Sequence, residues 1–128
     1  MQLIGAELGR IEPGIIEITL LYRAELTQQN GYLHAGIVTT IADSACGYAA
    51  YSLMPAGSEV LSVEFKVNLL RPATGDKFLA RAEVIKPGKT LTVVRADVFG
   101  VSGTDGNQTL VASMLGTMFC IRNVASEA

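Results

Sequence analysis

One carboxylate stands alone in a long apolar run: Asp43 is the only formal charge between Ile37 and Leu53. Just upstream, Asn30-Gly31-Tyr32-Leu33-His34-Ala35-Gly36 holds the single histidine of the chain. A carboxylate in apolar surroundings is costly unless it is neutralised, hydrogen-bonded or put to use. In use, Asp43 is a general base toward water or a nucleophile; otherwise it is a buried group paired with backbone. Asn30, in an Asn-Gly pair, reads by itself as a turn residue. His34 either binds a carbonyl or caps the helix that follows. The backbone N–H groups of Ala35 and Gly36 fall at that helix start, unpaired and at the positive end of the macrodipole. Donors placed there stabilise charge that develops on an oxygen. The pattern is that of an active site at the start of a buried helix.

The elements that must position these groups follow from periodicity. Ile37–Leu53 is apolar almost all round, as a core helix is. Before it, Ile15–Arg23 reads as a strand, with Ile16, Ile18, Leu20 and Tyr22 on one face and Glu17, Thr19 and Arg23 on the other. Leu3–Ile11 reads as a short strand or turn. After the helix, Leu61, Val63, Phe65, Val67 and Leu69 alternate with Ser62, Glu64, Lys66 and Asn68, a period of two that no helix gives. Ser62 thereby falls on the polar face. Lys77–Lys86, Thr90–Val101 and Thr109–Ile121 are further strands. They are separated by turns at Arg71–Asp76, at Lys86-Pro87-Gly88-Lys89 (the type II preference) and at Ser102–Asn107. Gly116 is a candidate bulge. One apolar helix with an antiparallel sheet is solved by curling the sheet around the helix, an α+β fold.

Composition narrows the function. The 128 residues read as a single domain, 1–128, with net charge -2, 17% charged and 49% hydrophobic residues. So apolar a chain is expected to oligomerise. It lacks a basic stripe interleaved with aromatics, which argues against nucleic acid. Ile37–Leu53 is short for a membrane span, carries Asp43 and has no flanking Lys/Arg clusters. The N-terminus does not read as a signal peptide. Cys46 and Cys120 lie in apolar runs, as reduced core residues of a cytoplasmic protein do. One histidine and two separated cysteines make no usual metal site, and Ser44 and Ser62 lack a nucleophile-elbow context.

The element order, Asn30, Leu33-His34-x-Gly36, Asp43 nine positions beyond the histidine, Leu61-Ser62-Val63-Glu64 and Leu70-Arg71-Pro72 together resemble the hotdog-fold acyl-CoA thioesterases of the phenylacetate-degradation type. The resemblance covers the chain from about Gly14. It implies a curved antiparallel sheet around one central helix and hydrolysis of an aroyl- or medium-chain acyl-CoA thioester without a further cofactor. Asp43 would be base or nucleophile, and Asn30 and Ser62 would orient water. The Ala35 N–H, with Gly36, would polarise the carbonyl, and His34 would shape the loop. Arg71, Lys86 and Lys89 would meet the coenzyme A phosphates unless they are solvated turn residues. The site would lie between two subunits of a homodimer that assembles further to a homotetramer. Ala35 departs from the family's glycine and adds a methyl beside the thioester. A non-catalytic acyl-CoA binder is the alternative; a hydratase or dehydratase fits less well, because the histidine precedes the helix and Asp43 stands alone.

Overall fold

The computed structural model describes residues 1–122; residues 123–128, the end of the expected domain, lie outside the described residues. A short 3-10 turn at Gln2–Ile4 precedes β1 (Glu7–Glu12) and β2 (Ile15–Leu21), and another at Ala24–Leu26 leads to α1 (Ala35–Tyr51). Then come β3 (Glu59–Leu69), β4 (Lys77–Lys86), β5 (Leu91–Ser102) and β6 (Asn107–Ile121). The six strands form one sheet in the order β1-β2-β4-β5-β6-β3, every neighbouring pair antiparallel. The helix packs on β2 to β6, which is the arrangement the resemblance implies.

The core lies between α1 and one sheet face. Val38, Ile41, Ala42, Ala45, Cys46, Ala49 and Ala50 are buried along the helix. Facing them are Ile16, Ile18 and Leu20 of β2, Phe78 of β4, Val94 and Val98 of β5, and Met114 and Met118 of β6. Small residues meet on both sides, Ala42, Ala45 and Ala49 against Ala80, Ala82, Ala96 and Ala112. They let the helix sit low on the sheet, while each large buried side chain contributes about 1.5–3 kcal/mol. No helix among the described residues is long and apolar enough to cross a membrane.

Several details differ from the sequence reading. The helix runs Ala35–Tyr51 rather than Ile37–Leu53, and it is not apolar all round. Gly36, Thr40, Asp43, Ser44, Gly47, Tyr48 and Tyr51 form a strip turned away from the sheet, so Asp43 is half-buried and not a core residue. Leu3–Ile11 resolves into both a turn and a strand, and β2 ends at Leu21, leaving Tyr22 exposed. The glycine of Lys86-Pro87-Gly88-Lys89 has no positive φ, so the hairpin is not type II. Gly88 is needed for closeness: a Cβ there would lie 2.0 Å from the Leu91 carbonyl oxygen.

The bulge is also elsewhere. Gly116 pairs regularly with Phe65 and Val94, whereas the ladders slip at Val63 on β3 and at Val111 on β6. The slip at Val63 decides the site. Residues directly opposite in a ladder share a face. Val60 and Ser62 pair with Cys120 and Met118, while Phe65 and Val67 pair with Gly116 and Met114, all four partners being buried. Beyond the bulge the inward positions are therefore odd-numbered; before it they are even-numbered. Ser62 turns inward to the helix instead of joining Glu64 and Lys66 outside.

Candidate active site

The loop before the helix is held by the chain around it. Leu33 is buried and its N–H donates to the Ala73 carbonyl, 3.1 Å, while the His34 N–H donates to the Leu26 carbonyl, 2.9 Å. His34 is the N-cap: its Nδ1 accepts the Gly36 N–H at 2.8 Å. The histidine thus takes the capping alternative, and it also occupies the Gly36 N–H. The Ala35 N–H is different, because nothing among the described residues accepts it. It is an unpaired donor at the positive end of a helix of 17 residues.

Gln28, not Asn30, is the amide that lines the cavity beside Ala35. Its Oε1 accepts the Asn30 N–H and, at 3.4 Å, the Tyr32 N–H, which leaves its Nε2 free to donate. Gln28 lines a cavity of about 400 Å³ together with Tyr32, Leu33, Ala35, Leu69, Arg71 and others. Asn30 is exposed at the tip of the turn and does not line it. The turn lies where the Asn-Gly pair predicts it, and the amide that lines the cavity is Gln28. A signal existed: Gln28 lies two positions before the Asn-Gly pair, where a side chain can fold back over the turn it precedes.

Asp43 sits eight residues into the helix from Ala35. The Ser62 O–H donates to its Oδ1 at 2.6 Å, with Met118 Sδ 3.3 Å behind the hydroxyl. The hydroxyl has one proton and gives it to the carboxylate, a short charge-assisted bond that holds Asp43 in place. Its Oδ2 is left for other chemistry. The pair borders a cleft of about 260 Å³ with Ser44, Gly47, Tyr48 and Val60. Burial, reinforced by the Asp43 charge, pushes the neighbouring Cys46 thiol up to about 12. That thiol stays protonated and is no rival nucleophile.

The two clusters lie apart within one chain. Eight residues at about 1.5 Å each put the start of the helix about 12 Å from Asp43 along the axis, too far for one carbonyl to meet both. The basic residues divide in the same way. Arg71, whose Nη1 donates to the Leu110 carbonyl at 2.8 Å, borders the Ala35 cavity. Lys86 and Lys89 belong to the β4–β5 hairpin at the other end of the sheet, because Lys86 lies in the row of Val93, Thr117 and Glu64. Within one chain the strands therefore hold Arg71 apart from Lys86 and Lys89.

Residues 30–106 match the thioesterase superfamily. The chain belongs to the thioesterase superfamily. A protein of Saccharolobus solfataricus provisionally named an esterase is 35% identical over 124 residues, 97% of this chain and 79% of its own. The crystal structure of a thioesterase family protein from Silicibacter pomeroyi superposes with TM-score 0.93 at 49% identity, covering 96% of this chain and 89% of that one. The E. coli PaaI protein of the phenylacetic acid degradation operon shares the fold at TM-score 0.82, with 24% identity over 94% and 82% of the two chains. The architecture of this superfamily member is the hotdog fold, one long helix wrapped by a curved antiparallel sheet.

Proposed function

We propose that this thioesterase-superfamily protein hydrolyses an acyl-CoA thioester, aroyl or medium-chain, to the free acid and coenzyme A. The observation that carries the reading is the division of labour between the half-sites: a carboxylate positioned by Ser62 in one, and unpaired Ala35 and Gln28 donors in the other. Asp43 Oδ2 is free to take a proton from water or to attack directly. The Ala35 N–H, helped by Gln28 Nε2, receives the oxyanion as the carbonyl carbon becomes tetrahedral. Collapse of that carbon breaks the C–S bond and releases the coenzyme A thiolate, which takes up the proton that Asp43 received from water. After direct attack, water instead cleaves the resulting Asp43 acyl anhydride to the free acid. Gln28 replaces Asn30 in this scheme, His34 acts as the cap that keeps the loop and helix in register, and Gly36 drops out as a donor.

The site is completed by a second copy. β3 is a sheet edge carrying exposed Leu61, Val63, Phe65 and Leu69, and an edge of that kind is open to pairing. If two β3 strands pair antiparallel about a two-fold axis, the Ser62 end of one meets the Leu69 end of the other. Asp43 and Ser62 of one copy then face Ala35, Gln28 and Arg71 of its partner. The same operation brings Arg71 of one copy toward the Lys86–Lys89 hairpin of the other, where all three can meet the coenzyme A phosphates. Two such dimers would make the homotetramer, in a cytoplasm whose reducing conditions suit the free Cys46 and Cys120.

The test is turnover of purified protein on aroyl- and alkyl-CoA thioesters, with released thiol trapped, beside Asp43→Asn. The expected result is hydrolysis by the native protein and a loss of about 10²–10⁴-fold in a variant that stays folded. No turnover, or equal turnover by both proteins, would overturn the reading; binding of a non-hydrolysable acyl-CoA without turnover would establish the non-catalytic binder.

A further inference from the structure

We infer that Gly47 is the residue that sets how bulky an acyl group the site accepts, with Tyr48 as the movable wall of the same slot. The inference rests on the hydrolase reading above and concerns its specificity. Gly47 follows Asp43 by four positions, so the two lie on one helix face, one turn apart and about 5–6 Å from each other. Both border the same open cleft, lined also by Ser44, Tyr48, Val60 and Ser62. A Cβ built on Gly47 would meet no atom within 4 Å. The glycine is therefore not required by packing against its own chain. Its φ is not positive, so it is not required by backbone conformation either.

A glycine inside a helix costs stability relative to alanine, and here neither packing within its own chain nor backbone conformation requires one. What its missing side chain provides is room beside the carboxylate. In the proposed pose an acyl group whose thioester carbon lies at Asp43 follows the cleft the two residues share, so that its next few carbons run beside Gly47. An acetyl group ends before that level; a ring or a longer chain does not. Tyr48 is 42% exposed and flanks the same space, so its ring can pack against the acyl carbons or be displaced by them.

The experiment compares kcat/KM for acetyl-CoA and for the bulkiest thioester the native protein turns over, in the native protein, Gly47→Ala, Gly47→Leu and Tyr48→Ala. Thermal melting and solution mass are measured on each. Gly47→Leu is expected to lower the ratio of bulky-substrate to acetyl-CoA kcat/KM by about 30-fold or more, the scale on which a pocket rejects a few misplaced carbons. Gly47→Ala is expected to fall between, with a raised melting temperature. Tyr48→Ala should move the ratio the opposite way. If the Gly47 variants fold and assemble but leave the ratio unchanged, or if they lose both substrates equally, the inference is overturned while the hydrolase reading stands. A native protein that turns over no thioester overturns both.

Discussion

Mixing two inactive variants tests whether the site is shared between chains. The first is Asp43→Asn, which disables the carboxylate. The second is Ala35→Pro, which deletes the N–H proposed to hold the oxyanion. Proline is unusually well suited to that position. Ala35 is the first residue of the helix, where proline is favoured; its N–H has no partner to lose, and His34 before it, at φ -61 and ψ 136, already has the extended backbone that a following proline demands. The fold should therefore survive, while loss of one oxyanion donor lowers kcat by about 10²–10³-fold. When the variants are unfolded together and refolded at equal concentrations, about half of the dimers are mixed. In each mixed dimer one site inherits Asp43 from one chain and the Ala35 N–H from the other, and so is intact; the second site lacks both. Activity should recover to about a quarter of the native value, from two preparations each nearly inactive. The 12 Å separation along the helix is what makes this obligatory. The assay is thiol release on the best acyl-CoA, with solution mass confirming assembly. Recovery no greater than the sum of the separate variants, in mixed dimers shown to form, would refute the shared site.

Two further outcomes follow from the geometry. Gln28→Ala should lower kcat by about tenfold or more, as loss of a positioned hydrogen-bond donor does, whereas Asn30→Ala, on the exposed turn tip, should change kcat by less than about threefold; the reverse order in steady-state kinetics would restore Asn30 to the site. For Cys46, the thiol is raised in the folded protein from 9.0 to about 12. The unfolded chain therefore releases this proton first as pH rises, and the contribution to stability, full below pH 9, declines toward pH 12. By pH 10 the loss is about 1.4 kcal/mol, visible in urea unfolding of the native protein and absent from Cys46→Ala.

The residue types and their order determined a good deal of this protein. Alternation in Ile15–Leu21 and the apolar run around Asp43 announced a strand and a long helix, since burial on one face leaves a period that pairing and packing reproduce. The motif from Leu33 to Gly36 located the helix start, and the isolated charge located Asp43. The single histidine was legible as a cap or a ligand, and only the distance from Nδ1 to the Gly36 N–H settled that it caps. Tertiary structure decided the rest, because it depended on contacts between residues far apart in the chain. One extra residue at Val63 reverses the parity of β3 and turns Ser62 onto Asp43, an inversion that strict alternation of the sequence conceals. Docking of Leu33 onto Ala73 sets which amide of the turn enters the cavity, choosing Gln28 over Asn30. Local propensity carries no information about either of these, since each is fixed by the register of one element against another.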